Sequence, residues 1–231
     1  TPPVQTNCIQ QEPSTFRLSV QDGNARLQLL TKEGTVPDSL DFVLRLAVFC
    51  ITHSLLAAPH IKNRIQHFVG RPLPGYRLIY NLFSFLLFGW VMLAWQSTSV
   101  IYVLPGIWSL VLHGLQFIIL WAGLVCLRQT GLAGFLGTVL ADPNERPTLV
   151  TTGCYAVVRH PLYLLGILFL LSNPVITTRW ITLTLFSIPY FIFGALLEER
   201  RMIRLFGTAY RQYQRDVPFL IPRLNRQISA D

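Results

Sequence analysis

The sequence predicts an all-α integral membrane protein with about five transmembrane helices, and three observations support that fold class. Apolar residues make up 52% of the 231 residues, and charged residues make up 13%, far below the roughly 25% of an average soluble domain. The mean hydropathy is +0.44. Apolar runs approaching the ~20 residues that cross a bilayer recur along the chain with short polar connections. We therefore expect a single membrane bundle.

Residues 1–41 differ from the rest because they are polar and contain no run that could span a bilayer. Apolar and polar residues alternate at 16–20 and at 25–29, on either side of Asp22-Gly23, a pattern typical of a β-hairpin. We expect residues 1–41 to form a small extramembrane segment with this hairpin, and residues 42–231 to form the helical membrane domain. The chain begins at Thr1 without a methionine, so we also expect that a leader or other upstream segment has been removed.

The membrane domain contains five apolar runs. They cover residues 42–58, 77–96, 107–127, 162–172 and 180–197. The fourth run is too short to cross alone at about 1.5 Å per residue, and Asn173-Pro174 separates it from the fifth. The sequence therefore predicts that the last two runs form a C-terminal helical hairpin.

Lysines and arginines are distributed unevenly among the connections between these runs. They are frequent after the first, third and fifth runs, absent after the second, and represented only by Arg179 after the fourth. The positive-inside rule then places the N-terminus outside and the C-terminus in the cytoplasm of a multi-pass protein that contacts membrane lipids. Because the basic residues lie next to apolar runs, the net charge of +8 indicates membrane anchoring, and we expect no nucleic-acid partner.

The four cysteines show no metal-binding spacing. Cys8, Cys50, Cys126 and Cys154 are scattered, without a CxxC pair. We therefore expect neither a zinc site nor disulfides, and interpret all four as unpaired buried or boundary cysteines.

Residues suited to chemistry concentrate in two blocks at the ends of apolar runs. The first is GxYxxxRHPxY at residues 153–163, which places Arg159 and His160 just before the fourth run. The second is EExxxxxxFGxxYxxYxxxVPxxIP at residues 198–222, which begins with Glu198 and Glu199 directly after the fifth run. Under the predicted topology both blocks lie on the cytoplasmic side.

As a pair in this order, the two motifs resemble those of the isoprenylcysteine carboxyl methyltransferase and phospholipid methyltransferase superfamily of membrane enzymes, over residues 148–222. Upstream, HSLLAAPHIK at residues 53–62 resembles the NnrU group, which includes methanethiol S-methyltransferase-like proteins and, more distantly, haem-dependent ζ-carotene isomerases. The resemblance implies a methyltransferase with an S-adenosyl-L-methionine pocket at the cytoplasmic boundary. Its acceptor would be a lipophilic or thiol small molecule that enters from the bilayer.

The resemblance also implies the site residues. Carried over position by position, the cofactor-binding residues are Thr148, Leu149, Val150, Tyr155, His160, Pro161, Leu162, Tyr163 and Glu198. The candidate catalytic residues are His160, Glu198 and Arg159. Methyl transfer from a sulfonium needs collinear positioning and exclusion of water rather than a metal ion, so we expect no metal site.

One departure from the family pattern bears on the acceptor. By the resemblance, members that methylate a prenylcysteine carboxylate carry an arginine four residues before the first glutamate of the pair, and here that position is Gly194. The sequence therefore favours a small or apolar acceptor, such as a thiol, over a prenylcysteine carboxylate.

Several residues have structural interpretations that compete with functional ones. Glu199, followed by two arginines, fits a structural salt-bridge cluster as well as a site. Tyr210 and Tyr213, three residues apart, are expected to pack beneath the site or anchor at the interface.

Two other functions remain open. His53, His60 and His67 recur every seven residues, which would bring them near one helical face and allows a haem or metal role. With the resemblance to the NnrU group, this makes an NnrU-type haem-binding isomerase or redox protein the alternative function. Pro59 would bend that helix. The third hypothesis is a non-catalytic membrane partner that acts through the N-terminal hairpin.

Overall fold

The computed structural model describes residues 38–70, 73, 75–94, 99–131 and 148–223. The predicted hairpin at 16–29 and Cys8 lie outside these residues. Within the described parts the helices are α1 (Asp38–Ala57), α2 (Pro59–Val69), α3 (Tyr76–Met92), α4 (Ile107–Gln129), α5 (Cys154–Val157), α6 (Pro161–Leu171), α7 (Thr178–Phe206) and α8 (Thr208–Asp216), and the strands are β1 (Val100–Val103) and β2 (Val175–Thr177).

The predicted all-α membrane class is confirmed. Among the described residues, α1, α4 and α7 are long and apolar enough to cross a membrane, and α3 and α6 are shorter apolar helices. Large apolar side chains are exposed along them, including Phe85 at 75% and Phe117 at 70%. Such continuous apolar exposure is expected of helices that face lipid. The count of five spans stays a prediction.

Helix α7 contacts α1, α6 and α8, while α1 also packs against α3, and α4 packs against α6. A buried cluster of Phe42, Leu46, Val91, Ala94 and Leu183 joins α1, the C-terminal end of α3 and α7. These contacts fix α7 relative to α1, α6 and α8, so the residues at its C-terminal end have a fixed position.

Helices α6 and α7 are antiparallel neighbours in sequence and space, as the predicted hairpin requires. The N-terminus of α7 is capped by the Thr177 hydroxyl, which accepts the amide N–H of Trp180 at 3.1 Å. The helix runs past the end of the predicted apolar run at 197, so Glu198 and Glu199 lie within it rather than after it. Its 29 residues correspond to about 44 Å, longer than the ~30 Å hydrocarbon core. The C-terminal turns of α7 can therefore carry charge at the membrane boundary.

The connections between the second and third apolar runs and between the fourth and fifth contribute one strand each to a small sheet, which was not predicted from the sequence. Strand β1 pairs antiparallel with β2 through Val100↔Thr177, Tyr102↔Ile176 and Val103↔Val175. Strands of three and four residues are too short to show the alternation by which a strand is recognised. The pairing ties the segment before α4 to the turn of the α6–α7 hairpin.

The prediction of four unpaired cysteines is wrong for two of them. Cys126 near the end of α4 and Cys154 at the start of α5 form a disulfide, with Cα atoms 5.6 Å apart. Cys50 is free. The partners are 28 residues apart, and only the meeting of α4 with the segment before α6 brings them together, which spacing alone does not reveal.

Candidate active site

The two motif blocks meet through their main chains. The amide N–H of Arg159 donates to the carbonyl oxygen of Pro218 at 2.9 Å, and that of His160 donates to Phe219 at 3.3 Å. The segment that follows α8 thus runs beside the segment that precedes α6. Residues separated by a whole helical hairpin therefore form one site at one end of the bundle.

Two motif glycines have backbone conformations that other residues rarely adopt. Gly153 has φ 60° and Gly207 has φ 54°, both in the left-handed region. A Cβ at Gly153 would lie 2.2 Å from the side-chain amide nitrogen of Gln129. The oxygen of the same Gln129 amide accepts the N–H of Cys154 at 3.1 Å. Gly153 therefore lets the chain turn closely against α4, and Gly207 lets α8 turn away from α7.

Arg159 is held by several acceptors at once. Its Nε donates to Glu199 Oε1 at 2.6 Å, and its Nη1 donates to the carbonyl oxygens of Gln214 at 2.8 Å and Val217 at 2.6 Å. Only 11% of the Arg159 side chain and 12% of the Glu199 side chain are exposed. A buried pair with this many hydrogen bonds holds the segments around it in place.

Glu199 is also occupied on its second oxygen. Oε2 accepts the side-chain amide of Gln214 at 2.9 Å, and His160 Nε2 lies 3.4 Å from Oε1. Of the two interpretations of Glu199, these contacts favour the structural one. Gln214 contributes to the site, yet nothing in the sequence distinguishes it from other polar residues of a basic helix.

His160 lies between the two glutamates and is almost fully buried. Its side chain is 4% exposed, and Nδ1 lies 3.8 Å from Glu198 Oε2. The ring packs edge-on against Phe219 at 5.0 Å and Tyr163 at 5.7 Å. Burial lowers the pKa of His160, an effect that the charge and hydrogen bond of Glu199 oppose and the charge of Arg159 assists. The imidazole is therefore favoured in its neutral form near pH 7.

Glu198 differs from Glu199 because it is open to a ligand. Its side chain is 42% exposed, against 12% for Glu199. The Tyr163 hydroxyl is close enough to interact with its carboxylate. The adjacent carboxylates thus have different environments, and Glu198 is the one that a ligand can reach.

The segment before α5 lies over α8. Leu149 packs against the buried cluster of Tyr210, Tyr213 and Val217. The Tyr213 hydroxyl donates to the carbonyl oxygen of Tyr155 at 2.6 Å, and burial raises the pKa of Tyr213 to about 12. Both α8 tyrosines are buried, which favours packing over interface anchoring among their two expected roles.

Tyr155 connects this segment to the glutamates. Burial raises the pKa of its phenol, a hydrogen bond to Thr130 opposes that rise, and the charge of Glu198 adds to it. The phenol is therefore neutral near pH 7, and Tyr155 is close enough to Glu198 to respond to its charge. Thr148 is exposed, and Val150 is half-buried.

At the start of α6, Pro161 is the first helical residue and is buried. The next two positions, Leu162 and Tyr163, are half-buried. Their amide N–H groups lie in the first turn, where a helix offers no acceptor of its own. These amides therefore suit an anionic group.

Gly194 lies one helical turn before Glu198 and faces Tyr163. A Cβ at Gly194 would be 3.4 Å from the Tyr163 hydroxyl oxygen. Gly194 therefore packs against the Tyr163 side chain and contributes no cation at this position.

The three heptad-spaced histidines do not form one cluster. His53 is in α1, whereas His60 and His67 are in α2, beyond the break at Pro59, and are exposed. Both ring nitrogens of His53 lie within hydrogen-bonding distance of hydroxyl groups. Among the residues with described positions, no three His, Cys, Asp or Glu side chains are grouped for a metal ion.

Comparisons with known proteins agree with the motifs. Residues 106–209 match the family described as phospholipid methyltransferase. Methanethiol S-methyltransferase 2 of Bradyrhizobium diazoefficiens is 33% identical over 196 residues, 79% of this chain and 72% of that relative. Methanethiol S-methyltransferase of Pseudomonas deceptionensis is 30% identical over 194 residues, 80% of this chain and 72% of that relative.

The similarity to another methyltransferase covers a shorter part of the chain. Protein-S-isoprenylcysteine O-methyltransferase of Schizosaccharomyces pombe is 33% identical over 91 residues, 38% of this chain and 39% of that relative. No solved structure matches the chain significantly.

Proposed function

The chain belongs to the superfamily of membrane methyltransferases that includes the phospholipid and isoprenylcysteine carboxyl methyltransferases, and on that premise we propose that its methyl donor is S-adenosylmethionine and its acceptor a small thiol or another uncharged lipophilic molecule. The observation that carries this proposal is the open carboxylate of Glu198, 3.8 Å from the buried ring of His160. Relatives that align over more than two thirds of their length are named methanethiol S-methyltransferases, which supports a thiol acceptor.

The residues at this end of the bundle fit S-adenosylmethionine, which supplies an electrophilic methyl group on a sulfonium. Glu198, 42% exposed, suits the ammonium group or the ribose hydroxyls. The first-turn amides of Leu162 and Tyr163 suit the carboxylate. Tyr155 suits the adenine ring, and Leu149 and Val150 supply an apolar wall.

We assign different roles to the three candidate catalytic residues. Glu198 contacts the donor, and His160 contacts Glu198 and limits the depth of the pocket. Arg159 acts through Glu199, because its guanidinium is already engaged by that carboxylate and two carbonyl groups. Arg159 therefore positions the site rather than touching the reacting atoms.

The glycine at position 194, which supplies no cation, supports an acceptor without a negative charge. A carboxylate buried there would face the Tyr163 hydroxyl and no cation from that position, and a buried unpaired carboxylate is costly to desolvate. A thiol ionises more readily than an alcohol and enters an apolar site in its neutral form.

The arginine distribution supports a cytoplasmic location for this site. The exposed apolar surfaces of α4 and α7 support entry of the acceptor from the lipid. The donor, which is charged, would then arrive from the aqueous side, and the acceptor from the membrane.

The test is a titration of detergent-purified protein with S-adenosylhomocysteine, the demethylated form of the donor. Saturable binding that weakens when Glu198 is replaced by Gln supports the proposal. Asp216→Asn is the matched control, since Asp216 is exposed on α8 and its carboxylate contacts Gln212. Absence of binding by the unmodified protein would contradict the proposal.

A further inference from the structure

Helix α2 has an apolar side and a polar side. Ile61, Ile65 and Phe68 are spaced by four and three residues and therefore form the apolar side. At about 3.6 residues per turn, Lys62 and Arg64 lie at its two edges. The polar side carries His60, Asn63, Gln66 and His67. An apolar side bordered by basic residues is typical of helices that lie in the membrane interface.

The apolar side of α2 is only partly covered by the described part of the chain. Phe68 is 92% exposed. Ile61 and Ile65 are half-buried, and none of the 11 residues of α2 is buried. Exposure of a phenylalanine to water is unfavourable, whereas its exposure to acyl chains is not. The helix packs against α1, and its apolar side therefore needs a further apolar partner.

The charges beside the apolar side indicate which partner fits it. Lys62 and Arg64 are exposed, and neither forms an ion pair with any residue that the structure describes. The sequence contains no aspartate or glutamate between Asp41 and Asp142, so no carboxylate on α2 or next to it in the chain offsets them. A basic rim around an apolar surface is complementary to anionic headgroups above acyl chains.

The position of α2 in the chain places it at the membrane boundary. It follows α1, which is long and apolar enough to cross a membrane. The Tyr76 hydroxyl at the start of α3 donates to the carbonyl oxygen of Leu56 at 2.7 Å, so the chain returns to the end of α1 after α2. The 11 residues of α2 correspond to about 16 Å, too short to cross the bilayer. An amphipathic helix at this position is expected to lie along the membrane surface.

Contacts between α1 and α7 place α2 at the same end of the bundle as the candidate active site. Near the start of α1, Leu46 belongs to the same buried cluster as Leu183 of α7. Farther along both helices, Ser54 Oγ lies 3.0 Å from the Tyr190 hydroxyl. The two helices therefore run in the same direction, and the end of α1 lies on the same side of the bundle as Glu198 near the end of α7.

We propose that α2 is an interfacial helix that binds anionic phospholipids on the membrane face where the candidate active site lies. Phe68 and the two isoleucines insert among the first carbons of the acyl chains, about 5–10 Å deep. Lys62 and Arg64 bind the phosphate groups of the headgroups beside them. Because part of the attraction is electrostatic, docking of α2 depends on anionic lipid and weakens with salt. The inference is independent of the identity of the methyl donor and acceptor.

The experiment measures the depth of a nitroxide label on α2 in the full chain, reconstituted into vesicles. The label is attached to Phe68→Cys, or to Asn63→Cys on the polar side, after Cys8 and Cys50 have been replaced by Ser. The vesicles contain phosphatidylcholine alone or with about 30% phosphatidylglycerol. Paramagnetic relaxation by oxygen reports exposure to acyl chains, and relaxation by a water-soluble nickel complex reports exposure to water. With phosphatidylglycerol we expect the label at 68 to respond mainly to oxygen and the label at 63 mainly to nickel.

Neutralising the two basic residues tests the contribution of charge. In phosphatidylglycerol vesicles, Lys62→Gln with Arg64→Gln should lower the ratio of docked to undocked α2 roughly 25-fold, about 5-fold for each residue. Salt at about 1 M, where the Debye length is ~3 Å, should have a similar effect on the unmodified α2. The matched control is Lys62→Arg with Arg64→Lys, which keeps both charges and should keep the ratio. All these side chains are exposed, so Tm in detergent should be unchanged.

Three results would overturn the inference. A label at Phe68→Cys that responds mainly to nickel in both kinds of vesicle would mean that α2 lies in water. Protection of that label from both reagents would mean that another protein segment covers the apolar side. The same depth with and without phosphatidylglycerol, unaffected by neutralising Lys62 and Arg64, would mean that α2 does not select anionic lipid.

Discussion

Arg159 Nε lies 2.6 Å from Glu199 Oε1, and the two side chains are only 11% and 12% exposed. The neighbouring carboxylate of Glu198, by contrast, is 42% exposed. One glutamate of the pair therefore holds the fold at this end of the bundle, and the other is available to a ligand. The same substitution is therefore expected to affect stability differently at the two positions.

Replacing Glu199 by Ala should lower stability far more than replacing Glu198 by Ala. Removal of one partner of a buried pair leaves the other charge uncompensated and costs about 3–5 kcal/mol. Thermal unfolding in detergent, followed by tryptophan fluorescence, measures the difference in Tm. Similar Tm values for the two variants would show that Glu199 does not have the structural role described above.

Much of the candidate site could be predicted from the sequence because its residues lie at fixed spacings within two motifs. Gly153 and Gly207 need positive φ, and the two blocks share main-chain hydrogen bonds, so their residue types and order are constrained together. The different roles of Glu198 and Glu199 could not be predicted, since they depend on which face of α7 meets Arg159.

Contacts between segments far apart in the sequence could not be predicted for a similar reason. The β1–β2 pairing and the Cys126–Cys154 disulfide each join short segments across a helix or a long connection. The spacing of His53 from the other histidines suggested one helical face. In the structure its neighbours are instead Tyr80 and Ser84 on α3.

Replacing His160 by Ala, or Glu198 by Gln, should weaken binding of S-adenosylhomocysteine at least ~10-fold, about 1.4 kcal/mol each, because each removes a polar contact from a site with little water. The fold should survive both substitutions. Isothermal titration measures the two affinities, with Asp216→Asn as control. Unchanged affinity in both variants would mean that the donor binds elsewhere.

Acidification should destabilise the protein in part through His160. Its pKa in the folded state is lowered by burial from 6.5, so below that value the unfolded chain binds a proton that the folded chain does not. Stability is therefore lost as the pH falls through the unfolded pKa, and the loss ends below the folded pKa, with a slope of at most about 1.4 kcal/mol per pH unit. The measurement is Tm between pH 7.5 and 5 for the unmodified protein and His160→Gln. Parallel curves would contradict this contribution.

The C-terminal segment should be cytoplasmic, and residues 1–41 should be outside, because basic residues are so unevenly placed. Labelling of Asn225→Cys with a membrane-impermeant maleimide should fail in intact cells and succeed after lysis. The Cys126–Cys154 disulfide makes this test informative, since disulfides are typical of oxidising compartments. Labelling from outside would reverse the orientation and place the site on the non-cytoplasmic face.

Methyl transfer from labelled S-adenosylmethionine to three acceptors tests the proposed chemistry most directly. The acceptors are a small alkyl thiol, a hydrophobic phenol or quinol, and a farnesylcysteine analogue with a free carboxylate. With Gly194 in place of a cation, we expect turnover of the thiol or the phenol and little or none of the farnesylcysteine carboxylate. Robust methylation of the farnesylcysteine carboxylate, with the thiol and phenol inert, would contradict this assignment and require another arginine to bind the acceptor.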